Sequence, residues 1–408
     1  MRPVLFLYNI ILIIIAPFAF VAGSIINKLK WGEKGFGQRF GLIKLKQSPR
    51  SKSLWFHCAS VGEVRSIEGL VSSIRQKHPD TAIIVSTMTS TGRQTAIDFI
   101  KADEAFLLPI ENGSAIAYLI KLLGVKAFFI VDTEIWPNLI FTAGSHTRLI
   151  MINGKISEKT FKTYMRFKFF FTPLFKKFAA ILTKSQDDFS RFVKIAGTDK
   201  NIAPLGNIKF QKRKDKSTVA PIKELEGIKY ALAASTHSPE EDIFLDAFKE
   251  GGSKYEKLII APRHINRAQA VKQLAMSKGF TACLLSEGTN AQVVVTDSFG
   301  LLESLYLNAS KIFIGGSIAP IGGHNIFEAL QFEKTVAVGQ NMNDFAEIYL
   351  PAKECGVIHT VNNAKDIACW LQTPETGGNF QEFFRIIDEN NHKTINTIEE
   401  LINDVLAC

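Results

Sequence analysis

The sequence predicts an α/β protein: two doubly wound domains facing a cleft, behind an N-terminal apolar segment. Three observations lead there. Short continuous apolar runs alternate with helical stretches, the pattern of parallel sheets covered on both faces. The alternation stops in a polar, charged segment, "QKRKDKSTVAPIKELEG" over 211–227, and then restarts. The chain has 408 residues, 46% of them hydrophobic and 21% charged, enough for two folded domains with ample core. The expected boundaries are 1–30 for a membrane anchor, 31–210 for the first domain, 211–227 for a linker and 228–408 for the second domain.

The first element is the run "VLFLYNIILIIIAPFAFVAGSII", Val4 to Ile26, which carries no charge. About 20 apolar residues suffice to span a bilayer as a helix. Arg2 precedes the run, and Lys28, Lys30, Lys34 and Arg39 follow it. The positive-inside tendency then leaves the bulk of the chain on the cytoplasmic side of the membrane. A signal peptide has an apolar core of about 7–15 residues ending at a small-residue cleavage site. This run is longer and Ala22 is a poor site, so an anchor is expected. Asn9 and Pro17 leave both a spanning and a surface-lying helix open.

The strands of the first domain are read in "LWFHCAS", "AIIVSTM", "AFFIVD", "RLIMIN" and "AAILTKS". Those of the second are read in "YALAAS", "KLIIAP", "FTACLL", "AQVVVTD", "KIFIGG" and "TVAVG". In such sheets ligands bind beyond the carboxyl ends of the strands. Polar residues cluster there: His57, Ser60 and Glu63; Thr87 to Thr91; Asp132 with Glu134; Ser235 to His237; Pro262 to His264; Asp297 to Gly300; and Gly315 to Glu328.

Net charge is +9, which points to anionic partners: nucleic acid, anionic lipid or a phosphorylated substrate. The five cysteines, at 58, 283, 355, 369 and 408, form no CxxC pair, as expected of a reduced compartment without structural zinc. No Walker motif and no GxGxxG follows a strand, which disfavours a P-loop ATPase and a standard dinucleotide oxidoreductase. The stretch "KISEKTFKTYMRFKFFFTPLFKKFAA" interleaves basic and aromatic residues, suiting either a buried aromatic helix with a solvated basic face or contact with an anionic membrane. Nucleic-acid stacking has no motif to support it.

Glu63, in "SVGEV", falls in the first turn of a helix after a strand. The helix dipole there favours an ionised carboxylate, which suits either a general base or a cap. Asp132 and Glu134, read along a strand, would share one face. Lys209 in "GNIKF" sits where the first domain meets the linker, as a surface lysine or a counter-charge to a phosphate. Arg263 in "APRH" suits bidentate grip of a phosphate. In "GGSIAPIGGHNIFEAL", two glycine pairs precede a helix start, which is either a tight turn or a place where backbone N–H groups meet an anion.

Taken together, "GQRFG", "HCASVGEV", "STMTSTG", "DTEIWPN", "NGKIS", "GNIKF", "STHSPEE", "APRH", "GGSIAPIGGHNIFEAL" and "MNDFAEI" resemble the 3-deoxy-D-manno-octulosonic acid (Kdo) transferases of lipopolysaccharide synthesis. They run in family order from Gly37 to Ile348. The resemblance implies a glycosyltransferase of the GT-B type, with two Rossmann-like domains, that moves Kdo from CMP-Kdo to a lipid A precursor (lipid IVA) at the inner membrane. It implies inversion of the anomeric centre, and neither a cofactor nor a bound metal. The family's general base falls on Glu63 and its two stabilising positions on Asp132 and Lys209. Its CMP contacts fall on Pro262 and Arg263, on Phe299, Gly300 and Leu301, and on Asn325, Ile326, Phe327 and Glu328. The glycine turns and the helix start would hold the CMP phosphate, and Glu328 the ribose hydroxyls. Asp132 stands where the family usually has glutamate, and Leu301 where glutamate is usual, so the latter offers at most a backbone contact. A nucleotide-sugar epimerase on the same fold is the alternative, with no need of an anchor. A non-enzymatic membrane scaffold ranks last because it leaves the polar strand ends unexplained.

Overall fold

The computed structural model describes residues 2–26, 35–45, 52–208, 216–374 and 377–407. The chain divides into two compact units, Met1–Phe210 with Asn390–Cys408, and Gln211–Glu389.

In the first unit, helix α1 covers Arg2–Ile26 and a short 3₁₀ turn covers Phe36–Phe40. Then come β1 (Ser53–Cys58), α2 (Val61–Ser66), α3 (Glu68–Lys77), β2 (Ala82–Thr87), α4 (Ser90–Asp98), β3 (Glu104–Leu107), α5 (Gly113–Leu122), β4 (Val125–Val131) and α6 (Pro137–His146). The unit continues with β5 (Arg148–Gly154), α7 (Glu158–Arg166), α8 (Lys168–Phe175), β6 (Ala180–Thr183), α9 (Gln186–Ala196) and β7 (Ile202–Pro204). Its seven strands are parallel in the order β3-β2-β1-β4-β5-β6-β7.

The second unit holds β8 (Tyr230–Thr236), α10 (Glu240–Gly251), β9 (Lys257–Pro262), α11 (Ala268–Ser277), β10 (Ala282–Leu284), β11 (Val293–Val295), α12 (Leu302–Asn308) and β12 (Lys311–Ile314). It continues with α13 (Phe327–Leu330), β13 (Val336–Val338), α14 (Ala346–Glu354), β14 (Ile358–Thr360), α15 (Ala364–Gln372) and the start of α16 (Phe380–Ala407), a helix that passes into the first unit at Asn390. Its sheet is also parallel and seven-stranded, in the order β10-β11-β9-β8-β12-β13-β14. Two doubly wound domains are therefore present.

Continuous apolar strands arise because both faces of each sheet are covered. All six residues of β1 are buried. Trp55 joins one core cluster while Leu54, Phe56 and Cys58 join another, as the two-residue strand period requires. Strand β8 divides likewise, with Tyr230, Leu232 and Ala234 on one face and Ala231 and Ala233 on the other.

The division of the chain differs from the expected 228–408 at its end, because residues 390–408 pack with the first unit. Ile398, Ile402 and Val405 join the core over β1 and α3. Glu399 takes hydrogen bonds from Ser73 and Lys77, and Thr394 donates to the carbonyl of Leu205.

The N-terminal run is one helix, with Pro17 inside it. Among the described residues no helix is long and apolar enough to cross a membrane. One face of α1 is tied to the first unit by polar contacts. The Asn138 Nδ2 donates to Asn9 Oδ1 at 2.7 Å, the Tyr8 hydroxyl bonds Glu111, and the Tyr8 ring meets Phe170 with centroids 6.3 Å apart. The outward residues Phe6, Ile14, Phe18, Val21 and Ile25 are exposed.

Most aromatic residues of the basic-aromatic stretch face the core. Phe161, Tyr164, Phe170 and Phe171 lean on the core and Phe175 is buried, whereas Phe167 and Phe169 are exposed.

Glu111 stands at the centre of the α1 contact. Its Oε2 accepts from the Asn138 backbone N–H at 2.9 Å, and its carbonyl from Asn138 Nδ2 at 3.2 Å. Burial pushes its carboxyl up from 4.5 to about 7. Between those values the folded chain holds the proton that the unfolded chain has released, so this group's contribution to stability is full at low pH and lost as pH rises through about 7. The melting temperature of the parent minus that of Glu111→Gln, which still accepts from Asn138, should therefore fall between about pH 5 and about pH 8. A difference independent of pH would show that Glu111 is ionised throughout.

Candidate active site

In the first unit the polar residues at the carboxyl edge sort into buried structure and a coupled acidic group. His57 is wholly buried within β1, opposite Ser86 of β2. Its Nδ1 lies 3.0 Å from Ser86 Oγ, which also accepts from Trp55 Nε1 at 2.8 Å. Burial pushes its imidazole down to about 4, so it is a neutral core residue rather than a group open to substrate.

Glu63 does what a cap does and more. Ser60 caps α2, its Oγ accepting from the Glu63 N–H at 3.3 Å and donating to Glu63 Oε1 at 3.0 Å. The Ala59 N–H donates to Glu63 Oε2 at 2.7 Å. These bonds fix the carboxylate above the end of β1. The helix dipole alone predicts an easily ionised acid, but burial first and Asp132 second push the Glu63 carboxyl upward, against the hydrogen bonds from Ala59 and Ser60. An acid raised in this way has more affinity for a proton, which is what a general base needs.

Asp132 lies just past the end of β4, next to β1 in the sheet. Its φ of 60° is left-handed, so the chain leaves the strand there and Asp132 and Glu134 do not share a strand face. Glu134 instead accepts from Trp136 Nε1 at 2.8 Å, while Pro137 opens α6. Asp132 Oδ1 accepts from Asn153 Nδ2, and Oδ2 pairs with Lys155 Nζ at 3.2 Å. Burial and both carboxylates, Glu63 and Asp132, push the Cys58 thiol well up, so it stays protonated. Sequence reasoning gave Asn153 and Lys155 no role; their signal was the string "NGKIS", which ends β5 beside β4. Lys209 lies outside the described residues.

In the second unit the turn after β12 does gather an anion, and the anion belongs to the protein. Glu240, in the first turn of α10, is completely buried. Its Oε1 accepts from the N–H groups of Ser317, Ile318 and Ala319 at 3.0, 2.9 and 3.1 Å. Its Oε2 accepts from those of His237 and Gly316 at 2.9 and 2.8 Å. A Cβ on Gly315 would stand 2.6 Å from Glu240 Oε2 and from the Ser235 carbonyl, so only glycine admits this approach. The N–H groups of 316–319, expected to face a CMP phosphate, are thus already occupied. The string "SPEE", with acids opening a helix, was the available signal.

The predicted nucleotide contacts fall along this same edge. Pro262 ends β9 and is buried, while Arg263 follows it, exposed, with its N–H bonded to the Thr236 carbonyl at 3.0 Å. Three histidines gather there. His237 Nε2 lies 2.9 Å from His324 Nε2, and the His237 and His264 rings are perpendicular with centroids 5.6 Å apart. Burial first, then His237, Arg263 and His264, push His324 down to about 4. Burial also lowers His237, with Glu240 opposing. His324 is therefore a neutral donor and acceptor at physiological pH, and His237 is pushed the same way. Phe299 is 83% exposed beside Gly300, whose φ is 84°, whereas Leu301 leans on the core. Asn325 Nδ2 donates to Glu328 Oε1 at 3.1 Å, and Asn325 Oδ1 accepts from the Phe327 N–H at 3.1 Å. The side chains of Ile326 and Phe327 are buried in the core, which leaves only their backbone for a ligand.

Replacing Glu240 by glutamine turns one acceptor oxygen into a donor and strands at least two of the five N–H groups. With each bond to a charged group worth about 1.5–3 kcal/mol, Glu240→Gln should cost roughly 3 kcal/mol or more in denaturant unfolding. Glu250→Gln, at an exposed position of the same helix, should stay within about 0.5 kcal/mol.

Comparison with known proteins adds the family. Residues 34–212 match the family described as 3-deoxy-D-manno-octulosonic-acid transferase (kdotransferase). The chain is 30% identical over 300 residues to a 3-deoxy-D-manno-octulosonic acid transferase of Aquifex aeolicus, covering 72% of this chain and 79% of that protein. It is 30% identical over 370 residues to a bifunctional glycosyltransferase/methyltransferase of Fusobacterium nucleatum, covering 85% of this chain but 56% of the relative. The chain thus spans little more than half of that larger protein. Among solved structures, a glycosyltransferase from Rickettsia africae matches 87% of this chain and 99% of its own at 13% identity, with a TM-score of 0.58. The UDP-GlcNAc 2-epimerase of Neisseria meningitidis matches the same shares at 12% identity, with a TM-score of 0.55. Identities this low show the fold alone, so the epimerase reading rests on architecture. With the motifs in place at the sheet edges and this degree of identity to a transferase along most of its length, the chain belongs to the Kdo transferase family and is a glycosyltransferase.

Proposed function

We propose that this enzyme transfers Kdo from CMP-Kdo to a sugar hydroxyl of a lipid A precursor, with inversion at the anomeric carbon. The observation that carries the reading is the pairing of Glu63 and Asp132 at adjacent strand ends, two coupled acids whose interaction raises the proton affinity of Glu63. Glu63 takes the proton of the acceptor hydroxyl as its oxygen attacks the anomeric carbon. The bond from that carbon to the phosphate oxygen breaks, and its electron pair leaves with CMP. Asp132, held by Asn153 and Lys155, stabilises positive charge developing at the sugar. Lys209 and Arg263 are the counter-charges to the departing phosphate, the histidine group lies beside Arg263, and Glu328 accepts from the ribose hydroxyls.

The outward apolar face of α1 supports membrane attachment as a helix lying in the interface, with the catalytic units on the cytoplasmic side of the inner membrane. The exposed Phe167 and Phe169 add apolar surface to the same unit.

Mass spectrometry of a lipid A precursor incubated with enzyme and CMP-Kdo tests the reaction, each transfer adding one Kdo mass. Glu63→Gln keeps the shape and the cap but takes no proton, so turnover should fall by about 10²–10⁴ while CMP affinity holds. Transfer by Glu63→Gln at the parent rate would remove Glu63 from the mechanism.

A further inference from the structure

The motifs "GQRFG" and "STMTSTG" have no part in this chemistry, and both line one cavity of the first unit. The cavity has a volume of about 1360 Å³ and lies against α1. That exceeds the roughly 300–1,000 Å³ of small-molecule sites. One stripe of α1, Tyr8, Leu12 and Ile15, lines it, and Phe40, Ile110 and Phe141 line it from the domain. The helix leaves this space because it is held near both ends. Tyr8 and Asn9 bond Glu111 and Asn138, and Gly23 meets the Phe36 ring, where a Cβ would stand 2.9 Å from it. At 1.5 Å per residue the two contacts are about 22 Å apart along the helix.

The remaining lining is mixed: Phe36, Met88 and Trp136 are apolar, Thr89, Ser90, Asn112, Asn138 and Thr142 are polar, Arg39 is basic and Glu111 is acidic. The starts of α4, α5 and α6 border it through Ser90, Gly113 and Asn138, and an N–H group at each start is already taken, by Thr89 Oγ1, Asn112 Oδ1 and Glu111 Oε2. On its other side α1 is apolar and exposed, so the cavity lies directly behind a face suited to hydrocarbon.

We propose that this cavity binds a hydrocarbon chain of a membrane lipid, with α1 as its outer wall. A chain drawn from the bilayer would bury the apolar stripe of α1 together with Phe36, Phe40, Ile110 and Phe141. Glu63 and Asp132 do not line the cavity, so lipid binding there is separable from the transfer reaction.

Trp136 lines the cavity and reports on its contents. Trp55 and Trp370 are buried in the cores, and Trp31→Phe removes the remaining tryptophan. Full-length Trp31→Phe protein on phosphatidylglycerol vesicles should lose Trp136 emission when the lipid chains are dibrominated, relative to unbrominated vesicles. Thr142→Phe and Ile15→Phe, each filling the cavity, should restore emission, while Ile14→Phe on the exposed face should not. Dibrominated stearate should quench likewise, and excess unbrominated stearate should reverse it, which tests the site without any substitution there. The acceptor KM of Thr142→Phe identifies the source. A several-fold rise with unchanged donor KM assigns the chain to the acceptor, and no change assigns it to a bilayer lipid. Absence of quenching, quenching equal in both filled variants, or failure of unbrominated stearate to compete would overturn the proposal.

Discussion

The second unit depends on one buried carboxylate. Glu240 draws five backbone N–H groups onto its two oxygens, four of them from the consecutive residues 316–319. Burying a charge is costly unless hydrogen bonds compensate it, and here the compensation comes from a loop that would otherwise hold its own donors without partners. The two halves of the problem solve each other. In consequence the turn after β12 is fixed against the start of α10, which carries His324 to 2.9 Å from His237 and sets Asn325 and Glu328 at the opening of α13. Glu241, next in sequence, extends the arrangement by taking both Arg267 guanidinium nitrogens, at 2.7 and 3.2 Å. Arg267 is thereby committed to the framework, and Arg263 is the exposed arginine at the same edge.

How much of this the sequence discloses depends on whether the relevant physics is local. The strands are legible because burial on both faces writes an unbroken apolar run, as in the first five residues of β8, Tyr230 to Ala234. The partner of an amphipathic helix is not legible. Ile398, Ile402 and Val405 form a stripe at helical spacing that would suit any apolar sheet face, and nothing local says that it covers the first unit. His57 shows the same limit at one residue. Its place near a strand end marks it as a candidate, but its role follows from the register that sets it opposite Ser86. The glycine-rich turn is an intermediate case. That it gathers an anion is local information; that the anion is Glu240, more than seventy residues earlier, is not.

The recognised motifs behave differently from the periodic ones. "HCASVGEV", "DTEIWPN" and "NGKIS" end β1, β4 and β5, neighbours in the sheet although distant in sequence. Their short strings carry side chains that meet only after the sheet forms: Glu63 coupled to Asp132, and Asp132 bonded to Asn153 and Lys155. Asp132 is held by both partners, one on each oxygen. Its short side chain is thus fixed in direction.

Backbone strain marks the same edges. Asp132, Asn153 and Ser235, none of them glycine, adopt φ near +55 to +60° where β4, β5 and β8 end. A left-handed residue costs about 1–2 kcal/mol, so three at corresponding places in two sheets represent a sizeable fraction of a domain's stability. Such a residue turns the chain abruptly off the strand, which a relaxed extended residue would not do. At Asp132 the turn brings a carboxylate over the neighbouring strand end instead of continuing along the sheet. At Ser235 it precedes His237, whose N–H then reaches Glu240. The strain is sustained because each bend is fixed from outside the turn, by Asn153 and Lys155 in one unit and by Glu240 in the other. Where a fold holds residues in a costly conformation at the edge that binds ligands, the geometry gained there is what the surrounding hydrogen bonds maintain.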